Sequence, residues 1–140
     1  LAESCTGGYI SHTITQVQGA SHYFKGGIVC YQNEIKERIL AIPHDVLQTQ
    51  GAVCEDVAKV MAVNIRNEFK TSIGFGITGL LSDGDADSKV PVGTVWMAIA
   101  DEDSVYAKHY NFPYSRTRNK EVALQMALLL IWKNLNKHNG

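Results

Sequence analysis

The sequence predicts a single α/β domain built on a mixed β-sheet covered by helices. Three observations carry the fold class. Helical and strand-like periodicities alternate through the first half of the chain, two consecutive strand-like runs follow, and one long apolar helix closes it. Alternation favours parallel strands joined by helical crossovers, whereas adjacent strands joined by a short turn pair antiparallel, so the sheet is mixed. The 140 residues suit one domain, and no repeat, low-complexity segment or linker divides them.

Thr6-Gly7-Gly8 opens the first helix, Tyr9 to Val17, where Ile10, Thr13, Ile14 and Val17 share a stripe and Ser11, His12 and Gln16 lie outside it. Gly19-Ala20-Ser21 ends that pattern. Gly26 to Tyr31 is a compact apolar run, expected as a buried strand with Tyr31 at its carboxyl end. Asn33 suits the cap of a second helix, Glu34 to about Leu40, which stops before Pro43. A third helix begins at Glu55-Asp56, with Val57, Val60, Met61, Ile65 and Phe69 on one face and Arg66 and Lys70 near its end, charges that complement the helix dipole. Ser72 to Thr78 alternates Ile73, Phe75 and Ile77 with Gly74 and Gly76, a strand whose glycine face lets a helix approach closely. Gly79 to Lys89 reads as a polar loop. Thr94 to Ala100 is a strand, Asp101-Glu102-Asp103 a turn, and Ser104 to Phe112 an edge strand. The last helix, Arg116 to Asn136, is apolar almost all round between Val122 and Trp132, which predicts packing on more than one side.

Thirteen Lys and Arg against fourteen Asp and Glu leave a net charge of −1, with an isoelectric point near 6.6. That balance offers no field for polyphosphate, so nucleic acid is not an expected partner. No apolar run reaches the roughly 20 residues of a membrane-spanning helix, and no secretion leader is visible, so the expected location is the cytoplasm, away from membranes. Cys5, Cys30 and Cys54 are odd in number and lack C-x-x-C spacing, which fits reduced thiols. His12, His22, His44, His109 and His138 show no metal spacing, and no metal or other cofactor is expected. His109, on the edge strand, is expected to face solvent. The chain starts at Leu1 and runs straight into the Ala2 to Gly8 loop, so an amino-terminal helix or strand is expected to be missing from 1–140.

Glu3 to Gly8 lies between the end of a strand and the start of a helix. Unsatisfied N–H groups and a positive dipole make such a place a cradle for phosphate or an oxyanion, and a hydroxyl at its mouth a candidate nucleophile. From this segment alone, an ordinary Ser/Thr cap is the commoner reading. Tyr31 ends a strand and Lys36 follows five residues later, so both point toward the carboxyl edge of the sheet, where α/β proteins bind ligands. A lysine neutralised by burial can deprotonate a serine, and a phenol can relay or donate a proton. A solvated helix lysine and a packing tyrosine are the competing reading.

Ala2-Glu3-Ser4-Cys5-Thr6-Gly7-Gly8, Gly26-Gly27-Ile28-Val29 leading to Tyr31-Gln32-Asn33-Glu34-Ile35-Lys36, Gly51-Ala52-Val53, Ile77-Thr78-Gly79 and Pro91-Val92-Gly93-Thr94-Val95 occur in this order. Together they resemble the CinA carboxy-terminal domain family, the nicotinamide-nucleotide amidohydrolases, across nearly the whole chain. The resemblance implies deamidation of nicotinamide mononucleotide to nicotinate mononucleotide with release of ammonia. It implies Ser4 as nucleophile, assisted by Tyr31 and Lys36, and a substrate-binding set of Thr6, Gly7, Gly8, Asn33, Thr78, Gly79 and Arg116. The implied partner is a small-molecule pyridine mononucleotide, the implied assembly a homodimer.

Where the family carries G-I-A-G-P-x-G-G, this chain has Gly79-Leu80-Leu81-Ser82-Asp83-Gly84-Asp85-Ala86, which places Asp83, Asp85 and Asp87 in a loop expected near the substrate. Acids there disfavour a phosphate unless a base answers them. The D-x-D-x-D spacing lacks the glycine and glutamate of an EF-hand, so solvated acids are the simpler reading. Arg116 and Lys120 hold the basic positions that precede and enter the last helix in the family, with Tyr114 and Ser115 in place of its glycine and acid. Cys54 stands where a serine usually caps a helix, and Cys5 is expected to be a buried, inert thiol. The alternative function is a catalytically weak or inactive nucleotide-binding domain with an altered substrate loop. An interaction module in DNA uptake or damage is a third reading, opposed by the lack of a basic, aromatic-studded face.

Overall fold

The computed structural model describes residues 1–83 and 88–137. Its elements are β1 (Ala2–Glu3), α1 (Tyr9–Thr15), a 3₁₀ turn (Ala20–His22), β2 (Ile28–Val29), α2 (Asn33–Leu40), α3 (His44–Gln50), α4 (Glu55–Phe69), β3 (Gly74–Gly79), β4 (Thr94–Ala100), β5 (Val105–Asn111) and α5 (Arg116–Lys137). The sheet order is β2-β1-β3-β4-β5. β1 pairs in parallel with β2 and with β3, whereas β3, β4 and β5 pair antiparallel in turn. The expected mixed sheet therefore forms, parallel in the first half of the chain and antiparallel in the second.

Side-chain alternation along β3 and β4 assigns a helical layer to each face. Phe75, Ile77, Val95, Met97 and Ile99 join Ile10 of α1 and Ala123, Leu124, Ala127 and Leu130 of α5 in one core. The opposite side of β4 presents Ala98 and Ala100 to Ala58 and Ala62 of α4. A third group, Ala2, Cys30, Leu40, Ile42, Leu47, Val57, Met61 and Ile65, fills the space between α4, the α2–α3 segment and the parallel strands. The glycine face of β3 does what its spacing predicts. A Cβ on Gly76 would stand 2.7 Å from the Ala58 carbonyl oxygen, and one on Gly74 would overlap the Ala62 carbonyl. α4 therefore lies directly on the strand backbone.

Several expectations are corrected. The buried strand read over Gly26 to Tyr31 shrinks to two residues at the sheet edge, with Val29 and Tyr31 exposed and only Cys30 fully inside. Its single strand neighbour, β1, covers one edge alone. The cap of α2 is Gln32 in extended conformation and Asn33 is the first helical residue, with no side-chain cap bond. α3 was not anticipated. It has seven residues and buries Leu47 alone, too little for a periodic signal. α5 is not enclosed on a second side, because Leu129, Trp132 and Leu135 are exposed. Cys54 caps α4 without a side-chain cap bond. Of the three loop acids, Asp83 is described and exposed; Asp85 and Asp87 lie outside the described residues, as does His138.

Candidate active site

β1 is flanked by β2 on one side and β3 on the other, so the chain leaves its carboxyl end in one direction and returns to the sheet on the other. Such a switch point opens a crevice at the carboxyl ends of parallel strands. A cavity of about 700 Å³ lies there. Ser4 reaches it from the end of β1, Thr78 and Gly79 from the end of β3, Tyr31 from the end of β2, Asn33 and Lys36 from α2, and Arg116 from the start of α5.

Ser4 prolongs the parallel ladder, its N–H donating to the Ile77 carbonyl at 3.1 Å, and its carbonyl accepts the Gly7 N–H at 3.0 Å. Those two bonds hold the hydroxyl at the strand end. The residue before it is decisive for the turn. Glu3 is completely buried. One carboxylate oxygen accepts the Thr6 hydroxyl at 2.7 Å and the Ile10 N–H at 2.9 Å; the other accepts the Ser11 N–H at 2.9 Å and the Ser11 hydroxyl at 2.7 Å. The amino-terminal N–H groups of α1 are thus satisfied from within the chain, by an acid placed where the dipole favours one.

This corrects the expected cradle. Thr6, Gly7 and Gly8 do not share the cavity of Ser4. They line a separate cavity of about 400 Å³ with His12, Thr117 and Lys120. Sequence adjacency suggested one site, but the left-handed backbone at Gly7 and Gly8 turns the chain away, and Glu3 occupies the helix terminus.

Lys36 is the largest fully buried side chain, 1% exposed. Its Nζ donates to the Cys30 carbonyl at 2.9 Å and the Tyr31 carbonyl at 3.0 Å, and it forms no ion pair among the described residues. Burial pushes its amine below the ordinary lysine range. Two carbonyls match the two N–H bonds of a neutral amine, leaving its lone pair in the remaining tetrahedral direction. The solvated-lysine reading is therefore excluded. Cys5, in the same wall, is held as a thiol because burial pushes its pKa up to about 12.

Arg116 joins parts of the chain that are distant in sequence. One guanidinium nitrogen donates to the Tyr31 hydroxyl at 2.8 Å, the other to the Ser82 hydroxyl at 2.9 Å. Because Arg116 takes a lone pair of the phenol oxygen, the phenol proton is free to be donated elsewhere. Asn119 supports the same corner, its side chain donating to the Leu81 carbonyl and accepting the Tyr114 N–H.

The lining also contains Gln48 and Gln50, which come from the unanticipated α3 and which sequence reasoning passed over; Gly51 at its end belongs to one of the motif blocks, and Leu80, Leu81 and Ser82 to the loop expected near the substrate. Lys89 donates to the Gln48 and Thr49 carbonyls, each at 2.9 Å, tying that loop to the carboxyl end of α3. A lysine two residues before Pro91 was the available signal, but without α3 it had no visible partner.

The sequence model of the CinA C-terminal domain family matches residues 1–135. A CinA-like protein of Amoebophilus asiaticus is 42% identical over 135 residues, 96% of this chain and 32% of that protein. A CinA-like protein of Geobacter sulfurreducens is 44% identical over 129 residues, 91% of this chain and 31% of that protein. The chain thus spans about a third of the length of the curated relatives it matches. The crystal structure of a competence or damage-inducible protein from Enterobacter asburiae superposes with a TM-score of 0.91 at 27% identity, covering 96% of this chain and 84% of that one. The chain belongs to the CinA C-terminal domain family.

Proposed function

We propose that this family member is a cytoplasmic amidohydrolase that deamidates nicotinamide mononucleotide to nicotinate mononucleotide and ammonia. One observation supports the reading above the rest: Ser4, Tyr31 and Lys36 line one cavity, and the amine among them is buried with no carboxylate paired to it among the described residues. A serine hydroxyl is a weak nucleophile that needs a base, and a lysine unable to hold its charge cheaply is one.

In the first step the Ser4 oxygen attacks the carboxamide carbon while its proton passes to Lys36, directly or through Tyr31. The carbonyl π electrons move onto oxygen, and the phenol O–H of Tyr31 donates a hydrogen bond to that oxyanion without giving up its proton. The carbon–nitrogen bond then breaks, and ammonia leaves with the proton that Lys36 returns. Water adds to the resulting ester, Lys36 again taking and returning a proton, and Ser4 is regenerated. Arg116 is the residue of the lining suited to the substrate phosphate, since its guanidinium has N–H bonds beyond the two it spends on Tyr31 and Ser82. Asn33, Thr78 and Gly79 complete the surface around the substrate.

The test is ammonia release from nicotinamide mononucleotide by the purified protein and by Ser4→Ala. The parent should turn over, and the variant should lose on the order of 10⁴-fold or more in kcat. Nucleotide binding with no turnover in the parent would replace this reading with that of a silent nucleotide-binding domain whose substrate loop, 80–87 in the sequence, has diverged.

A further inference from the structure

A neutral amine attacks carbonyl carbon as well as taking protons. The Lys36 amine donates to two backbone carbonyls, and its side chain lines a cavity of about 700 Å³, within the usual range for a small-molecule site. With the Lys36 amine uncharged, the charged groups among the described lining residues are Lys89 and Arg116 against Asp83, so an anionic group on the ligand is favoured. The neighbouring Cys5 does not compete as a nucleophile, being held as a thiol by burial. The surface lysines differ in kind. Lys59 is ion-paired with Glu55 at 2.6 Å, and Lys133 is exposed.

We propose that Lys36 is a covalent capture site for small aldehydes that carry an anionic group, which it holds as an imine inside this cavity. The amine lone pair forms a carbon–nitrogen bond to the aldehyde carbon, and a proton moves from nitrogen to the former carbonyl oxygen. The carbinolamine then loses water: the carbon–oxygen bond breaks, the remaining N–H proton leaves, and the second carbon–nitrogen bond forms. If the imine is protonated, it keeps one N–H for the Cys30 or Tyr31 carbonyl. None of these steps requires amide hydrolysis at the site.

The experiment treats the whole folded chain with pyridoxal 5′-phosphate, reduces with borohydride and maps the modified lysines by peptide mass spectrometry. Lys36 should be labelled several-fold more than Lys133 and Lys108, and unfolding in urea beforehand should abolish the preference. Pyridoxal, lacking the phosphate, should label Lys36 less. In Lys36→Arg the label at that peptide should vanish while that at Lys133 persists. Labelling of Lys36 no greater than of Lys133 in the folded protein would overturn the capture site, and equal labelling by pyridoxal would overturn its anion preference. The readout is a mass on a peptide, so it stands or falls apart from turnover of nicotinamide mononucleotide.

Discussion

The root of α1 around Glu3 and the cavity wall around Lys36 each bury one ionisable side chain, and Cys30 touches both. Its N–H donates to the Glu3 carbonyl, and its own carbonyl accepts from Lys36. Glu3 receives four hydrogen bonds, two of them from the backbone of α1, and is sealed from both cavities. Lys36 has two bonds, both to carbonyls, and faces one. A saturated buried group is structural because every lone pair already has a partner, whereas an undersupplied one keeps a lone pair for chemistry. The contrast teaches that burial alone does not mark a reactive group. The number of partners does.

The sharpest way to break the comparison is to remove each group in turn. Lys36→Met should lower kcat toward nicotinamide mononucleotide by about 10³-fold, the usual share of a general base, without lowering the urea midpoint. A loss of stability as large as the loss of activity would make Lys36 structural like Glu3. Glu3→Gln should do the reverse, costing about 3 kcal/mol in urea unfolding, because an amide nitrogen would then face donors from Thr6, Ile10 or Ser11. A midpoint within experimental scatter of the parent would show that α1 does not depend on that acid.

Proton linkage sharpens the same contrast. The folded amine of Lys36 has a pKa below its unfolded value, so the unfolded chain binds more protons between the two, and stability should rise with pH up to the ordinary lysine range. The rate should rise as the folded amine loses its proton, with an apparent pKa below that of an exposed lysine. In Lys36→Met this part of the stability profile should flatten; an unchanged profile would assign the slope to other groups. The smallest effect concerns the thiols. Cys5 lies inside and holds its proton up to about pH 12, whereas Cys54 is half-buried. Iodoacetamide at pH 8 should therefore modify Cys54 well before Cys5 in the folded protein, and equal rates would show that the cavity wall opens.

Much of the fold was legible in the chain because its signals are local. The Gly74/Gly76 alternation gave both a strand and the close approach of α4, and the acids and bases at the two ends of α4 fixed its direction. β4 begins and ends at the residues its apolar run predicts. The β2 segment misled because an apolar run reads the same at a sheet edge as in its centre. α5 misled for a related reason: its outer face is apolar, yet Leu129, Trp132 and Leu135 are exposed.

For the candidate site, the chain itself supplied the residue types, and the motif blocks singled out Ser4, Tyr31, Lys36 and Arg116. Only the tertiary structure decided which of them meet. It separated Thr6, Gly7 and Gly8 from Ser4 although they are neighbours in sequence, and it joined Arg116 to Tyr31 across 85 positions. It also assigned Glu3, the acid beside Ser4, to the helix. Periodicity and capping are properties of a few consecutive residues, so a sequence displays them directly. Desolvation of an amine, and the number of partners left to it, depend on segments brought together by packing, so they exist only in the folded chain.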